Sequence, residues 1–397
     1  MSYKLLLKRN LKLLYFRSFF QFLIFTIPIW YVFETRFVSL ATLGIIFAMS
    51  HFISVVLELP SGALADLIGR RKTVFAGLVV YGFGALALSQ AQNSLWLWST
   101  YVVFGIADAL ISGADTALYY DTLKELGRSE DFAKFNANVG LIIRFALVIS
   151  TFLGGFIYAV HFRLPYVLWG MSVLVAAVIS YFSIEPKIDS EKFSFKSYWW
   201  QAKLGFKQLF KTEYIKDFSL YYMLVGGVGW YFIYFLNVAF ITEIGFDDIR
   251  RGVLVSLAYI TGALLNVWLT RASWVKRNYI YIGLPILLLI GLLPGAWVGK
   301  TYAVIALLLV QFVGLARFTL LDEYANKEFE SKYRATAVSA LNMAVSIFYI
   351  MASSIGGVVI ERFGAPMMMT VLGLITFVVG LPSAITIIFK QRRGRYG

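Results

Sequence analysis

The sequence has no cysteine, only two histidines, and few charges: Asp, Glu, Lys and Arg make up 15% of its 397 residues. Without cysteine there is no disulfide framework, no thiolate metal site and no thiol nucleophile. His51 and His161 lie far apart, and neither an H-E-x-x-H pair nor a glycine-rich nucleotide loop occurs. Those are the usual starting sets of metallohydrolases and NTPases, so no enzymatic role, metal or cofactor is expected. A soluble domain carries about 25% charged residues; here hydrophobic residues reach 59% and aromatics 17%. The chain is therefore expected to be solvated mainly by lipid. Its net charge of +14 would suggest nucleic acid in a soluble protein, but the placement of the cations explains it without such a partner.

A membrane span needs about 20 apolar residues. Twelve such runs fall near Leu13–Phe33, Leu40–Leu64, Thr73–Gln90, Leu95–Leu118, Phe135–Val160, Leu164–Ile184, Tyr214–Ile241, Val253–Thr270, Tyr279–Val298, Thr301–Leu321, Ala335–Ile360 and Met367–Phe389. The first follows Lys4, Lys8, Arg9 and Lys12 and superficially resembles a secretory signal. It is longer than a signal core of ~7–15 residues and lacks a small-residue cleavage site, so it reads as a retained span. In lipid these runs must be helices, because a lipid-facing backbone has to satisfy its own hydrogen bonds. Placing both termini in the cytosol leaves only Arg36, Arg163, Arg250, Arg251, Lys300 and Arg362 on the outer side, with Arg144 and Arg317 inside spans. Lys and Arg concentrate on the cytoplasmic side of membrane proteins. The expected location is thus the cell inner (plasma) membrane, with both termini cytoplasmic.

The longest polar interruption separates two sets of six spans, giving expected domains at 1–185 and 214–397 joined by a linker at 186–213. In that linker Lys192, Lys196, Lys203, Lys207 and Lys211 form one helical stripe, and Phe195, Trp199, Phe206 and Phe210 an adjoining one. The pattern suits a helix lying on anionic lipid; a solvated linker is the plainer alternative. The halves echo each other. Gly262-Ala263-Leu264-Leu265-Asn266 sits 200 residues after Gly62-Ala63-Leu64-Ala65-Asp66, and Gly154-Gly155 is matched by Gly356-Gly357. Two parallel six-helix repeats place a solute site at the repeat interface near the bilayer midplane.

Between the second and third spans lies Gly62-Ala63-Leu64-Ala65-Asp66-Leu67-Ile68-Gly69-Arg70-Arg71-Lys72. The turn resembles the G-x-x-x-D-x-x-G-R-[RK] hallmark of the major facilitator superfamily, through Gly62, Asp66, Gly69, Arg70 and Arg71. The resemblance covers the whole chain and implies an all-α membrane protein of twelve transmembrane helices in two pseudo-symmetric six-helix bundles. It further implies a cytoplasmic gate at this turn, with Asp121 at the end of the fourth span as the acid facing the arginines. The finer motifs of the drug:proton antiporter branch are incomplete. Tyr101 and Phe104 stand where its Arg and Gln are found, and Ser150-Thr151 replaces Gly-Pro before Gly154-Gly155.

An ionisable group at span depth costs at least ~2.5–3.5 kcal/mol and marks a functional candidate. Asp108 and Asp115 are seven residues apart in the fourth span and point the same way; His51 and Glu58 repeat that spacing in the second. Arg144 lies at a depth near that of Asp108, so an Asp108–Arg144 ion pair is expected, with Asp108 the first candidate for proton coupling and Glu58 the second. Asp115 and Glu58 lie closer to the cytosol and could join a gate network with Arg17 and Arg70 instead. His51 reads as a packing residue. The resemblance makes spans one, four, seven and ten cavity-lining, which offers Gln21, Trp30, Tyr31, Asp108, Trp230, Tyr234, Asn237, Gln311 and Arg317 to substrate. Aromatic walls beside an acid suit an organic cation; Arg317 suits a carboxylate or phosphate. The expected function is a proton-coupled transporter, monomeric and bedded in membrane lipids, exporting a small amphiphile. Uptake by symport and lipid-headgroup flipping are the alternatives, and a sensor on a transporter fold is a weaker one.

Overall fold

The computed structural model describes residues 2–187, 195–272, 274–297, 299–330 and 332–392. Among the described residues every regular element is helical. The amino-terminal half contains α1 (Tyr3–Gln21), α2 (Trp30–Glu34), α3 (Leu40–Ile68), α4 (Arg70–Ser89), α5 (Ser94–Glu125), α6 (Phe132–Val160) and α7 (Leu164–Tyr181). The short α8 (Phe195–Gln208) follows. The carboxy-terminal half contains α9 (Glu213–Tyr231), α10 (Asn237–Glu243), α11 (Asp248–Arg271), α12 (Arg277–Leu292), α13 (Lys300–Ala316), α14 (Asp322–Glu328), α15 (Arg334–Phe363), α16 (Ala365–Ile375) and α17 (Leu381–Arg392). Three π-helical segments, Phe232–Leu236, Arg317–Leu321 and Thr376–Gly380, splice α9 to α10, α13 to α14 and α16 to α17.

The helices start and stop where local chemistry dictates. Asn93 caps α5 by accepting the Trp96 N–H, and Thr212 caps α9 by accepting that of Ile215. Pro165 and Pro366 sit in the first turns of α7 and α16, where a missing N–H costs nothing. Gly69, at φ 99°, separates α3 from α4 in a backbone conformation that a side chain would strain.

Eleven of the twelve expected spans are long, apolar helices among the described residues. The first differs. Instead of one helix over Leu13–Phe33, α1 ends at Gln21 and the chain runs irregularly to Trp30. Apolar length predicts residence in the membrane but not helical continuity. Irregular backbone is tolerated at membrane depth only when protein covers it, and Leu23, Phe25, Thr26 and Ile29 are all buried. The cover is α6: a Cβ added at Gly154 would lie 2.2 Å from the Phe25 carbonyl oxygen.

Contacts divide the chain into two units. The first holds residues 1–38, 49–198 and 248–256; the second holds 39–48, 199–247 and 257–397. The echoed glycine pairs do equivalent work within them. In the first unit a Cβ on Gly155 would meet the Asp248 carbonyl oxygen at 2.1 Å; in the second, a Cβ on Gly357 would meet that of Leu40 at 2.5 Å. Backbones approach this closely in membrane proteins only at small residues. The helix expected in the linker is present as α8, with Lys203, Lys207 and Phe210 exposed. Lys192 lies outside the described residues.

Candidate transport site and charge locks

In the first unit, α5 carries one polar face. Asp108, Ser112 and Thr116 are exposed along it, with Asp115 and Tyr119 beside them. These positions recur every three or four residues and so share a helix face. Facing acyl chains would cost each acid kilocalories, so this face of the unit is turned away from lipid. Arg17 of α1, 3% exposed, pairs with Asp115 through both guanidinium nitrogens, Nη2 lying 2.7 Å from Oδ2. Tyr119 bonds to both partners and its ring lies under Arg17 at 5.2 Å. The geometry thus brings Asp115 to Arg17, as in the network alternative.

The expected Asp108–Arg144 pair is not made. Among the described residues neither side chain takes part in a salt bridge. Equal depth, counted from rise per residue, says nothing of the direction each side chain takes around its helix axis. Arg144 Nη1 instead reaches back to Gly140, 3.7 Å from where a Cβ would stand. Glu58 is exposed on α3 and forms no ion pair among the described residues, and His51 is half-buried. Trp30 is buried and meets Tyr31 edge-on at 5.9 Å. Gln21 ends α1 at the irregular segment, its Oε1 buried without a hydrogen bond.

At the basic end of the same unit, Arg70 Nη1 bonds to the Asp121 carboxylate, the acid that the resemblance singled out, and to the Ala117 carbonyl at 3.2 Å. Asp66 is a weaker partner, 3.8 Å from Arg70 Nη2. Arg71 donates to the Ser183 and Tyr181 carbonyls. Gly62 has open space where a Cβ would stand. Sequence reasoning missed Glu185, whose Oε1 and Oε2 accept the backbone N–H groups of Arg70 and Arg71 at 2.7 and 2.8 Å. A carboxylate there satisfies two orphan donors and complements the positive end of α4. The signal was faint, an acid directly after the sixth span, and nothing in the sequence ties it to residues 115 positions away.

The second unit repeats the lock. Arg277 opens α12 as Arg70 opens α4, and Glu328 closes α14 as Asp121 lies near the end of α5; each is 207 residues after its counterpart. Arg277 Nη2 lies 2.5 Å from Glu328 Oε1, and the guanidinium sits over the Tyr324 and Tyr281 rings at 4.5 and 5.1 Å. The hallmark motif is eroded in this half, which hid the pair from sequence inspection.

Deeper in the second unit, Arg317 begins a π segment and is 4% exposed. Nη2 donates to Asn342 Oδ1 at 2.8 Å, the guanidinium lies 4.5 Å over Trp230, and Nε and Nη1 make no hydrogen bond among the described residues. Tyr222 donates to Asp322 and lies 3.2 Å from Asn342 Oδ1, linking the arginine to a carboxylate. Trp230 also meets Tyr349 at 5.5 Å and Tyr234 at 6.0 Å. Asn237 and Gln311 are fully buried, the former accepting the Val238 N–H. The structure therefore gathers Trp230, Tyr234 and Arg317, and adds Tyr222, Asp322, Asn342 and Tyr349. Asp322 escaped because the tenth span was ended at its last apolar residue, whereas the π turn carries the helix on through Glu328.

A helical chain with eleven long apolar spans among the described residues, polar faces at membrane depth and paired charge locks at span ends is built as a polytopic membrane protein. The sequence profile described as Major Facilitator Superfamily matches residues 13–348, and the chain belongs to that superfamily, a family of transporters rather than enzymes. Among curated relatives, it is 25% identical to Multidrug resistance protein 1 of Bacillus subtilis (strain 168) over 211 residues, 52% of this chain and 51% of that one. It is 29% identical to the Na(+), Li(+), K(+)/H(+) antiporter of Planococcus maritimus over 149 residues, 36% and 34% of the two chains. The matched segments thus span about half the length of those relatives or less. Among solved structures, a bacterial homolog of the human lysosomal transporter Spinster superposes with TM-score 0.71 at 16% identity, covering 98% of each chain. The nucleoside transporter NupG does so with TM-score 0.71 at 15% identity, covering 98% of this chain and 99% of that one.

Proposed function

We propose that the protein exports small amphiphilic organic cations in exchange for protons, by alternating access, with its termini in the cytosol. The observation that carries this reading is Asp108, an exposed acid within a membrane-spanning helix that forms no ion pair among the described residues. Such an acid can take either a proton or a cationic substrate, and competition between the two is sufficient for exchange. Weak similarity to relatives named for multidrug resistance and cation/proton antiport supports it.

Binding tests the reading directly, because a ligand that prefers the folded state raises apparent stability. A fluorescent aromatic cation should raise the unfolding temperature of the purified protein, and Asp108→Asn should remove most of that shift. A second reading rests on Arg317, which is buried with two nitrogens that make no hydrogen bond among the described residues: uptake of an organic carboxylate or phosphate, or flipping of a lipid headgroup. If only an anionic amphiphile stabilises the protein, and Arg317→Gln abolishes the effect, the cation reading fails.

A further inference from the structure

Glu34 ends the short helix α2 and is 1% exposed. Its carboxyl oxygens meet two phenols. Tyr101 of α5 lies 3.0 Å from Oε1 and 2.8 Å from Oε2, and Tyr166 of α7 lies 2.9 Å from Oε1. Tyr166 is itself fully buried, its ring 4.3 Å from that of Phe33. No lysine or arginine forms a salt bridge with Glu34 among the described residues. Arg36, two positions on, turns away: Nε donates to the Val32 carbonyl, Nη2 to the Tyr158 hydroxyl, and the guanidinium lies over Phe162. Arg163, at the start of α7, donates to Gln90. Among the described residues, Tyr81 of α4 near Tyr101 and Tyr158 of α6 near Tyr166 are further titratable groups, both phenols.

An ionised Glu34 would therefore be a buried anion with no countercharge, a state that costs several kcal/mol. The neutral acid keeps a hydrogen bond to each phenol, at the cost of the acceptor that one phenol proton had on the carboxylate. Its hydroxyl donates to one phenol oxygen while its carbonyl oxygen accepts from the other. We propose that Glu34 is a proton-binding site of the first unit, distinct from Asp108, loaded when Tyr101 and Tyr166 close around it and released when they part.

The transfer is simple to balance: a hydronium ion gives its proton to a Glu34 oxygen and leaves as water, and the cluster passes from one negative charge to none. Tyr158 of α6 accepts from the exposed Arg36, two positions beyond Glu34, so a polar pair lies near the acid at the surface. Tyr101 and Tyr166 lie within two turns of the starts of α5 and α7, at the end of the unit away from Arg70. Asp108 lies about two turns further along α5. The inference rests on the proton-exchange reading for the use made of the proton, not for its binding.

Infrared difference spectroscopy on substrate-free protein in lipid nanodiscs tests it. As pH falls, a protonated-carboxyl band should grow that is missing from Glu34→Gln and shifted in frequency by Tyr166→Phe. Should Glu34→Gln fold poorly, Glu34→Asp should retain the band with a displaced midpoint. A wild-type spectrum that matches Glu34→Gln at every pH overturns the proposal, as does a Glu34 band that stays constant across the whole range. No substrate enters the measurement, so failure of the efflux reading leaves this result standing, and an inert Glu34 leaves efflux standing.

Discussion

Arg70 and Asp121 form a largely buried pair, so removing one partner strands a charge. Asp121→Ala should cost about 3 kcal/mol, read as a lower unfolding midpoint, and the double variant with Arg70→Ala should recover part of the loss. Equal losses that simply add would show the pair to be uncoupled. Glu185→Ala, which strips two N–H groups of their acceptor, should cost about 1 kcal/mol in the same assay; no loss would mean that water serves α4 as well. Asp121 was legible in the sequence because a family motif points to it. Glu185 and Glu34 were not, because each finds its partners through folding across more than sixty residues. The Asp108–Arg144 expectation failed for a related reason: spacing along a helix gives depth and period, while pairing between helices depends on how each is rotated.

Within single helices the glycines separate into two kinds. Gly155 and Gly357 let α6 and α15 touch neighbouring backbone, and a Cβ at either would collide. Gly155→Ala and Gly357→Ala should therefore each cost roughly 1–3 kcal/mol by overpacking. Gly62 sits inside α3 with nothing within 4 Å of an added Cβ, so Gly62→Ala should stabilise by roughly 0.5–1 kcal/mol. Circular dichroism melts in detergent compare the three, and a reversed order would contradict the packing described here. Eleven spans were readable from apolar length alone. The interrupted first span was not, since the Phe25–Pro28 segment is held by its contact with Gly154 rather than by its own sequence. The π turn at Arg317 was equally hidden, and it carries Arg317, Asn342 and Asp322 into one network.

At the scale of the whole molecule, the repeat seen first as short echoes becomes two units, each with an arginine opening its third span paired to an acid ending its fourth. Arg277→Ala should destabilise the protein about as much as Arg70→Ala, and a stability difference of several-fold would argue that the second lock is ornamental to the fold. The chemistry of the transported solute was the least legible property, because aromatic residues abound in every span and only folding gathers Trp230, Tyr234 and Arg317. The central claim is exchange of an organic cation for protons through Asp108. Purified protein in liposomes with an imposed pH gradient, with internal pH and a fluorescent aromatic cation followed together, measures it most directly. The account predicts that the cation runs against the protons, that its movement dissipates the gradient, and that Asp108→Asn halts driven movement. Cation flux that ignores the gradient, follows the protons, or survives Asp108→Asn unchanged would contradict it.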